Sequence, residues 1–459
     1  MFTGIVLPAY PKGFQKIRIN QWIGCARFLW NAKCEEEQYL TQFAKRYLPI
    51  GTYAPVDQTF SQYKNEELSP WLFNCPSQIL RNTATNWYAT YRKFLKGECG
   101  KPKRKAKSNE ESVHLTRELF QFEKGEDGNL CLFIGSKTNN IGYLSIKNYK
   151  SYKEPNSIWL KRKNGRYFIA FCYEDNAKEM QTLSEHLEYL KGLDKAELEK
   201  ITMGIDRGVK RPVQAGDEFF DFSIEQKKKK KAKERYIKRC QQAIARGKKG
   251  SKRRLQKKLK MGRAYEKISN IRKDFCHKTS RSIVEKQEVK VIVLEDLRTK
   301  QMTKKPKAKK DESTGKWLPN RRKAKAGLNR SILDKGWHLF EKFIQYKAYK
   351  AGKAVFKVLA YHTSQECSDC GYTHPDNRKK QDLFVCGSCG HTENADKNAQ
   401  DVIKKRAINK ILDSGTELSS KGVLLDKGRG AANKTQGAKA NCARGKEASK
   451  KMVLAASAA

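Results

Sequence analysis

The hydrophobic period changes several times along the 459 residues. Residues 1 to about 15 read as a short strand closed by Pro11. From Ile17 through Leu40 the period is helical, with Trp22, Cys25, Leu29 and Trp30 on or near one face. Ser77 to Leu95 predicts a second helix with the stripe Ile79, Leu80, Thr83, Trp87, Tyr91 and Phe94, and Gly97 near its end. Between 112 and 175 the pattern becomes short β-rich runs: Leu130–Ile134, Tyr143–Ile146, Ile158–Lys161 and Tyr167–Tyr173. Asp-Gly and Asn-Gly turns at 127 and 164 split them. These runs predict a small antiparallel barrel into which the helices are inserted.

Ile201–Asp206 is a short apolar strand ending in an acid, and Val289–Leu294 is another, followed by Glu295. Residues 227–263 read as one long helical arm, and 300–327, basic and poor in apolar residues, as a loop. Leu328–Tyr349 returns to helix, with Ile332, Leu333, Leu339, Phe340, Phe343, Ile344 and Tyr346 on its expected buried side. Gly352 ends it before the strand Ala354–Leu359. Beyond about Ser414 the chain is rich in Gly, Ala, Lys and Ser and is expected to be disordered. No internal repeat is present.

Charge changes the picture most. Lys and Arg number 96 against 49 Asp and Glu, a formal charge of +47, whose self-repulsion calls for a large polyanion. The 19 Lys or Arg between 227 and 263 are too one-sided for a salt-bridged helix and point to nucleic-acid contact. Lys228, Lys230, Arg235, Arg239, Arg253 and Arg254 are the candidate contacts. No apolar run approaches the roughly 20 residues of a membrane span, so no membrane partner is expected. The amino terminus lacks a secretory pattern, and the nine cysteines outside the Cys-x2-Cys pairs are irregularly scattered, so a reducing, cytoplasmic compartment is expected.

Two such pairs, Cys367/Cys370 and Cys386/Cys389, stand 15 residues apart. Four thiolates so arranged suit one tetrahedral, structural Zn²⁺, with Gly371 and Gly390 supplying the positive φ that such knuckles require. His391 is a substitute ligand that four cysteines make unnecessary. Asp206, Glu295 and Asp396 fall where an RNase H-like α/β fold would gather them, two at strand ends and one at a helix start. Three carboxylates in one cleft repel unless cations bind, and two Mg²⁺ ions about 4 Å apart would suit phosphodiester hydrolysis. Singly, each acid also fits a strand-end turn, a surface carboxylate or, for Asp396, a helix N-cap.

The ordered motifs resemble the TnpB nucleases of bacterial and archaeal insertion sequences, kin to miniature type V CRISPR effectors and Fanzor proteins. Gly204-Ile-Asp-Arg-Gly-Val-Lys210, Ile292-Val-Leu-Glu-Asp-Leu297 and Asn394-Ala-Asp-Lys-Asn-Ala399 resemble the three RuvC motifs. Gly327–Ser331, Tyr346–Ala348, His362–Gly371 and Arg378 match the bridging segments in order. The match is strong over about 200–405 and weaker upstream, where Arg27, Trp30-Asn31 and Phe94–Gly97 are similar to the family's amino-terminal helices.

The resemblance implies a RuvC nuclease domain over 201–413 with a zinc ribbon inserted at 362–393. A wedge barrel is implied at 1–15 and 111–180, interrupted by a helical recognition segment at 16–110, with a linker at 181–200 and a basic tail at 414–459. It implies a guide RNA and target double-stranded DNA as partners, near the nucleoid, and a short adjacent motif read by the inserted helices, with Gln78 and Asn82 as candidate base-edge contacts. Arg207 and Lys210 make the first motif unusually basic, and the 300–327 loop is long for the family. A CRISPR effector and a guide-dependent DNA-binding repressor are the alternatives; such a repressor is expected to lack triad acids, and all three are present. No paired His or Tyr nucleophile signature supports a strand-transfer transposase.

Overall fold

The computed structural model describes residues 2–49, 56–108, 110–124, 130–149, 151–174 and 180–426. The chain divides into two compact units. One is formed by 1–177 with 236–265, the other by 178–235 with 266–459.

In the first unit β1 (Phe2–Tyr10) leads into α1 (Gly13–Tyr47), and α2 (Ser77–Leu95) follows. Six more strands complete the unit: β2 (Glu110–Thr116), β3 (Phe120–Lys124), β4 (Leu130–Gly135), β5 (Asn140–Ile146), β6 (Ser157–Lys163) and β7 (Arg166–Glu174). The sheet order is β2-β6-β7-β1-β5-β4-β3, antiparallel throughout. Its two end strands are not hydrogen-bonded to each other. The sheet nevertheless curls, because Phe122 of β3 packs edge-on against Phe171 of β7, on the far side of β1, β5 and β4, at 6.0 Å. The β6–β7 hairpin turns on Asn164 and Gly165, both at positive φ, a conformation that suits Asn-Gly. The Asp-Gly turn expected at 127 lies outside the described residues.

Helix α1 buries Ile19, Trp22 and Leu29, and α2 buries Ile79 and Leu80, against the inward residues Leu132, Leu144, Ile158, Leu160 and Ile169. Removing that much apolar surface from water is what holds helices to sheet. β1 pairs with β5 at only two residues, leaving β5 carbonyls open; the buried Gln15 amide fills the gap, donating to Ile141 O (2.9 Å) and Tyr143 O (2.8 Å).

The second unit opens with α3 (Leu183–Lys191) and α4 (Lys195–Ile201), where a linker was expected. Each starts with a capping box, Thr182 with Glu185 and Asp194 with Glu197, a local signal of a helix start that the linker expectation overlooks. β8 (Thr202–Asp206), β9 (Val213–Ala215) and β10 (Glu218–Phe220) follow. The expected single arm is instead two helices, α5 (Ile224–Arg246) and α6 (Lys252–Glu285), because Gly247 and Gly250, the latter at φ +84°, break it. Next come β11 (Val291–Glu295), α7 (Thr299–Met302) and a small hairpin, β12 (Lys309–Lys310) with β13 (Trp317–Leu318). The segment expected as a loop therefore carries local order.

The helix expected over 328–349 is two, α8 (Arg322–Lys335) and α9 (Trp337–Lys350), separated at Gly336 (φ +73°). The break resets the helical phase. Ile332, Phe340 and Ile344 are buried as expected, but Leu333 and Tyr346 face solvent. β14 (Ala354–Val358), β15 (Leu383–Val385), β16 (Thr392–Asn394) and α10 (Ala395–Leu412) complete the α/β part. Beyond it, β17 (Thr416–Leu418) and β18 (Leu424–Asp426) pair where disorder was expected from 414. Val423 and Leu424 are buried, a local apolar signal that averaging over the whole tail conceals.

The sheet order is β10-β9-β8-β11-β14, with β8, β11 and β14 parallel. β11 is covered on both faces. Ile292 and Leu294 pack with Phe275, Phe340 and Ile344, while Val291 and Val293 pack with Phe356, Ile403 and Ile408. A parallel strand sandwiched between helix layers needs this unbroken apolar run.

Candidate active site and metal centre

Each of the three acids stands at the end of an element. β8 and β11 are neighbouring parallel strands whose last residues are Asp206 and Glu295, and α10 carries Asp396 in its first turn. The helix reaches the strands through a glycine: a Cβ on Gly204 would lie 2.2 Å from Gln400 O and 3.0 Å from Lys404 N of α10. The N-cap of α10 is Asn394, whose side chain accepts from Asp396 N at 3.1 Å. Capping is thus done by Asn394, and the Asp396 carboxylate is left for other partners.

Glu295 and Asp396 are buried, and Asp206 keeps partial exposure. Desolvation, then the charges of Glu295 and Asp396, push the Asp206 carboxyl up to about 7. Burial also raises Glu295, against the hydrogen bond from Thr363 and the positive charges of Arg207, Arg406 and Arg378. Thr363 Oγ1 donates to Glu295 Oε1, and Arg378 donates to Asp396 Oδ1 at 3.1 Å. Among the described residues, only the four cysteines bring three or more His, Cys, Asp or Glu ligand atoms within 4.8 Å of one another, so the three carboxylates do not all lie within that distance of each other.

A buried ion network lies behind Glu295. Arg207 donates to the Glu295 carbonyl and to Glu341 Oε2 (3.0 Å), and Lys357 pairs with Glu341 Oε1. Thr363, Glu341 and Lys357 were not singled out in the sequence. Their partners lie 68, 134 and 16 residues away, so no local spacing links them.

Cys367, Cys370, Cys386 and Cys389 converge, with Sγ–Sγ distances of 3.7 Å (Cys367–Cys389) and 3.6 Å (Cys370–Cys386). Each knuckle folds back on its first cysteine: Gly371 N donates to Cys367 O at 3.0 Å and Gly390 N to Cys386 O at 3.2 Å. Gly371 and Gly390 adopt φ of +77° and +74°. Burial raises the Cys386 thiol, but amide donors from Cys389 and Ser388 and the neighbouring thiols outweigh it and bring it down to about 6. His391 turns away, its Nε2 3.4 Å from Ser368 Oγ. Asn377 joins the knuckles, donating to Tyr372 O (3.1 Å) and accepting from Gly387 N (3.0 Å). Asn398 of α10 accepts from Ser368 N (2.9 Å) and donates to Glu366 O (2.8 Å), while Arg406 donates to Leu359 O and Tyr361 O. The ribbon is therefore tied to the helix that carries Asp396.

The expected nucleic-acid contacts divide. Lys228, Arg235, Arg239 and Arg253 are exposed. Lys230 is a correction: it is buried, 2.5 Å from Asp334 Oδ2 and 4.0 Å from the Phe222 ring centre, because its position falls on the inward face of α5. Arg254 is half-buried and donates to Gly247 O at 3.3 Å. Gln78 is half-buried. Asn82 is also a correction, since it is buried and donates to Thr116 Oγ1 (3.3 Å) and His114 O (3.5 Å), bracing α2 on β2. Among the described residues no helix is long and apolar enough to cross a membrane.

Fold and site together define a mixed α/β protein with carboxylates at parallel strand ends beside a four-cysteine ribbon. Family models match at residues 337–403 (Cas12f1-like, TNB domain), 171–305 ("Probable transposase", OrfB of IS605) and 8–38 (helix-turn-helix domain of the same OrfB); residues 13–47, which overlap that last stretch, form one continuous helix here. A relative from Escherichia coli K12, provisionally named RNA-guided DNA endonuclease InsQ, is 27% identical over 424 residues, 91% of this chain and 94% of its own. The CRISPR-associated endodeoxyribonuclease Cas12f1 of Sulfoacidibacillus thermotolerans is 42% identical over 69 residues, 15% of this chain and 16% of its own. A solved Cas12f1–sgRNA–target DNA complex shares the fold, with a TM-score of 0.50 at 15% identity over 85% of this chain and 82% of that one. Over most of its length the chain is thus similar to OrfB proteins of the IS605 kind, and over its ribbon region to Cas12f1.

Proposed function

We propose that this chain is a transposon-associated RNA-guided DNA endonuclease in which Asp206, Glu295 and Asp396 form a RuvC-type catalytic site. The observation that carries the reading is the convergence of three acids from β8, β11 and α10 on one locus, where burial, and then the charges of Glu295 and Asp396, raise the Asp206 carboxyl to about 7. That is unmet negative charge. The names of the relatives supply the guide RNA and the DNA substrate.

The donor set fits hard cations, being three carboxylates with no thiol or imidazole among them. Bound Mg²⁺ would supply a polarised water and charge neutralisation at the leaving oxygen of a phosphodiester. The remaining roles belong to the chain. Thr363 and the Arg207–Glu341 pair fix Glu295, and Arg378 holds Asp396 until substrate and cations compete for it. The four thiols fit Zn²⁺, which would cross-link the ribbon and so hold the start of α10. The sheet of the first unit reads as the wedge barrel, with α1 and α2 as the inserted recognition segment. The exposed cations Lys228, Arg235, Arg239 and Arg253 read as guide-RNA contacts.

Cleavage of a duplex bearing the guide's complement, with Mg²⁺ and with Ca²⁺ as the non-productive control, tests the reading together with a gel shift. Alanine at any one of the three acids should abolish cutting and keep binding, because affinity comes from phosphate contacts and base pairing. Cutting near wild type in Asp206→Ala would place the chemistry elsewhere. The similarity to Cas12f1 over the ribbon region favours a second reading, a miniature CRISPR effector. Sequencing the co-purifying RNA separates the two, since one predicts transposon-end sequence and the other a repeat-derived guide.

A further inference from the structure

We propose that the hairpin β12–β13 is a stacking platform for single-stranded DNA, with Trp317 holding an unpaired base and the lysines beside it holding the backbone. The choice of DNA over RNA rests on the nuclease reading; the stacking platform does not.

Trp317 is 70% exposed, the most of the chain's seven tryptophans, and Leu318 next to it is 47% exposed. An indole left in water forgoes the burial that normally makes tryptophan worth placing in a fold. The hairpin holds it there. Asp311 accepts from Ser313 N (3.0 Å), Ser313 Oγ (2.7 Å) and Thr314 Oγ1 (2.7 Å), Gly315 turns at φ +67°, and Asp311 N donates to Lys316 O at 2.8 Å. Asn320 closes the base, donating to Lys307 O at 3.1 Å.

Charge identifies the partner. Residues 304–325 hold ten Lys or Arg against Asp311 and Glu312, and no ion pair joins any of the ten to a carboxylate among the described residues. Lys310 lies directly across from Trp317 and Lys309 across from Leu318, so a cation shares the face of each apolar side chain. An aromatic face with cations at its side is the arrangement that takes a base and its phosphate. The base is taken as unpaired, because inside a duplex both faces of each base are already stacked. Lys309 follows Glu295 by 14 residues, so the hairpin is tethered within about 50 Å of the carboxylates.

The test uses the full-length chain carrying Asp206→Ala, a labelled oligothymidylate of about 20 nucleotides with one 5-iododeoxyuridine, long enough to cover a single-strand site, and an oligouridylate of the same length with one 5-iodouridine. Irradiation should place the DNA adduct on Trp317, more strongly than the RNA adduct. Trp317→Ala should weaken oligothymidylate binding about tenfold at every salt concentration, the scale of one lost base–aromatic stack, and Trp317→Phe should restore most of it. Lys309→Glu with Lys310→Glu should instead flatten the salt dependence, by about 0.7 in log–log slope for each phosphate no longer neutralised. An unchanged melting temperature in Trp317→Ala shows that the loss is not unfolding. Adducts confined to other peptides, or unchanged affinity in Trp317→Ala, would overturn the proposal, and preferential RNA adduct at Trp317 would overturn the assignment to DNA. If the wild-type chain fails to cut a guided duplex, the nuclease reading falls while the adduct on Trp317 is scored as before.

Discussion

Asp206 shows how a single side chain can oppose the fold that holds it. An unfolded Asp ionises near pH 3.9, whereas in the folded chain the carboxyl keeps its proton to about 7. Between those values the folded state binds more protons than the unfolded one, so this group's contribution falls as pH rises from about 4 to 7 and stays unfavourable above. Asp206→Asn should therefore raise the melting temperature of the metal-free protein at pH 8, change it little at pH 4, and abolish cleavage. Divalent-cation affinity, read by calorimetry, should tighten as pH rises through 7. A second residue separates charge for structure from charge for binding. Lys230→Ala leaves Asp334 in a partly buried site without that partner and should destabilise by up to about 3 kcal/mol in thermal or urea melts, whereas Arg239→Ala should leave stability unchanged and weaken RNA binding.

The contact of β8 with α10 decides whether the three acids meet at all. Gly204→Ala would drive a Cβ into the backbone of Gln400 and Lys404, which cannot swing aside as a side chain can. The cost should be about 1–3 kcal/mol of overpacking, with cleavage falling further than stability because Asp396 moves with the helix. The ribbon makes the same point from the other end. Cys386→Ser should lower zinc content by elemental analysis and reduce cleavage together, because Asn377 and Asn398 link the knuckles to each other and to α10. Zinc-free protein that cuts normally would sink this. At this scale the sequence was readable where period and punctuation agreed: α2 begins and ends at the expected Ser77 and Leu95. It misled where a glycine interrupts a long helical period, as at Gly250 and Gly336, since periodicity over a wide window passes through one break.

Over the whole molecule, +47 on 459 residues means that the free chain repels itself. Purified protein should carry a discrete RNA, RNase treatment should lower its melting temperature, and added salt should weaken RNA binding linearly on a log–log scale. Unchanged melting after RNase would show that the charge is screened some other way. The two compact units divide the helices α5 and α6 between them, so the most basic stretch of the chain contributes residues to both.

What the sequence determined by itself is whatever short-range chemistry fixes. The Cys-x2-Cys spacing with Gly371 and Gly390 is local geometry, the acid after each apolar run is read directly, and net charge needs no fold. What only the tertiary structure decided is which polar groups are used up. Nothing near Asn82 in sequence says that it braces β2, and nothing near Lys230 points to Asp334, 104 residues on. Thr363 on Glu295 and Arg378 on Asp396 likewise arise from packing. Long-range partners are set by which faces the buried apolar surface brings together, and a linear pattern carries that information only when the whole chain has folded.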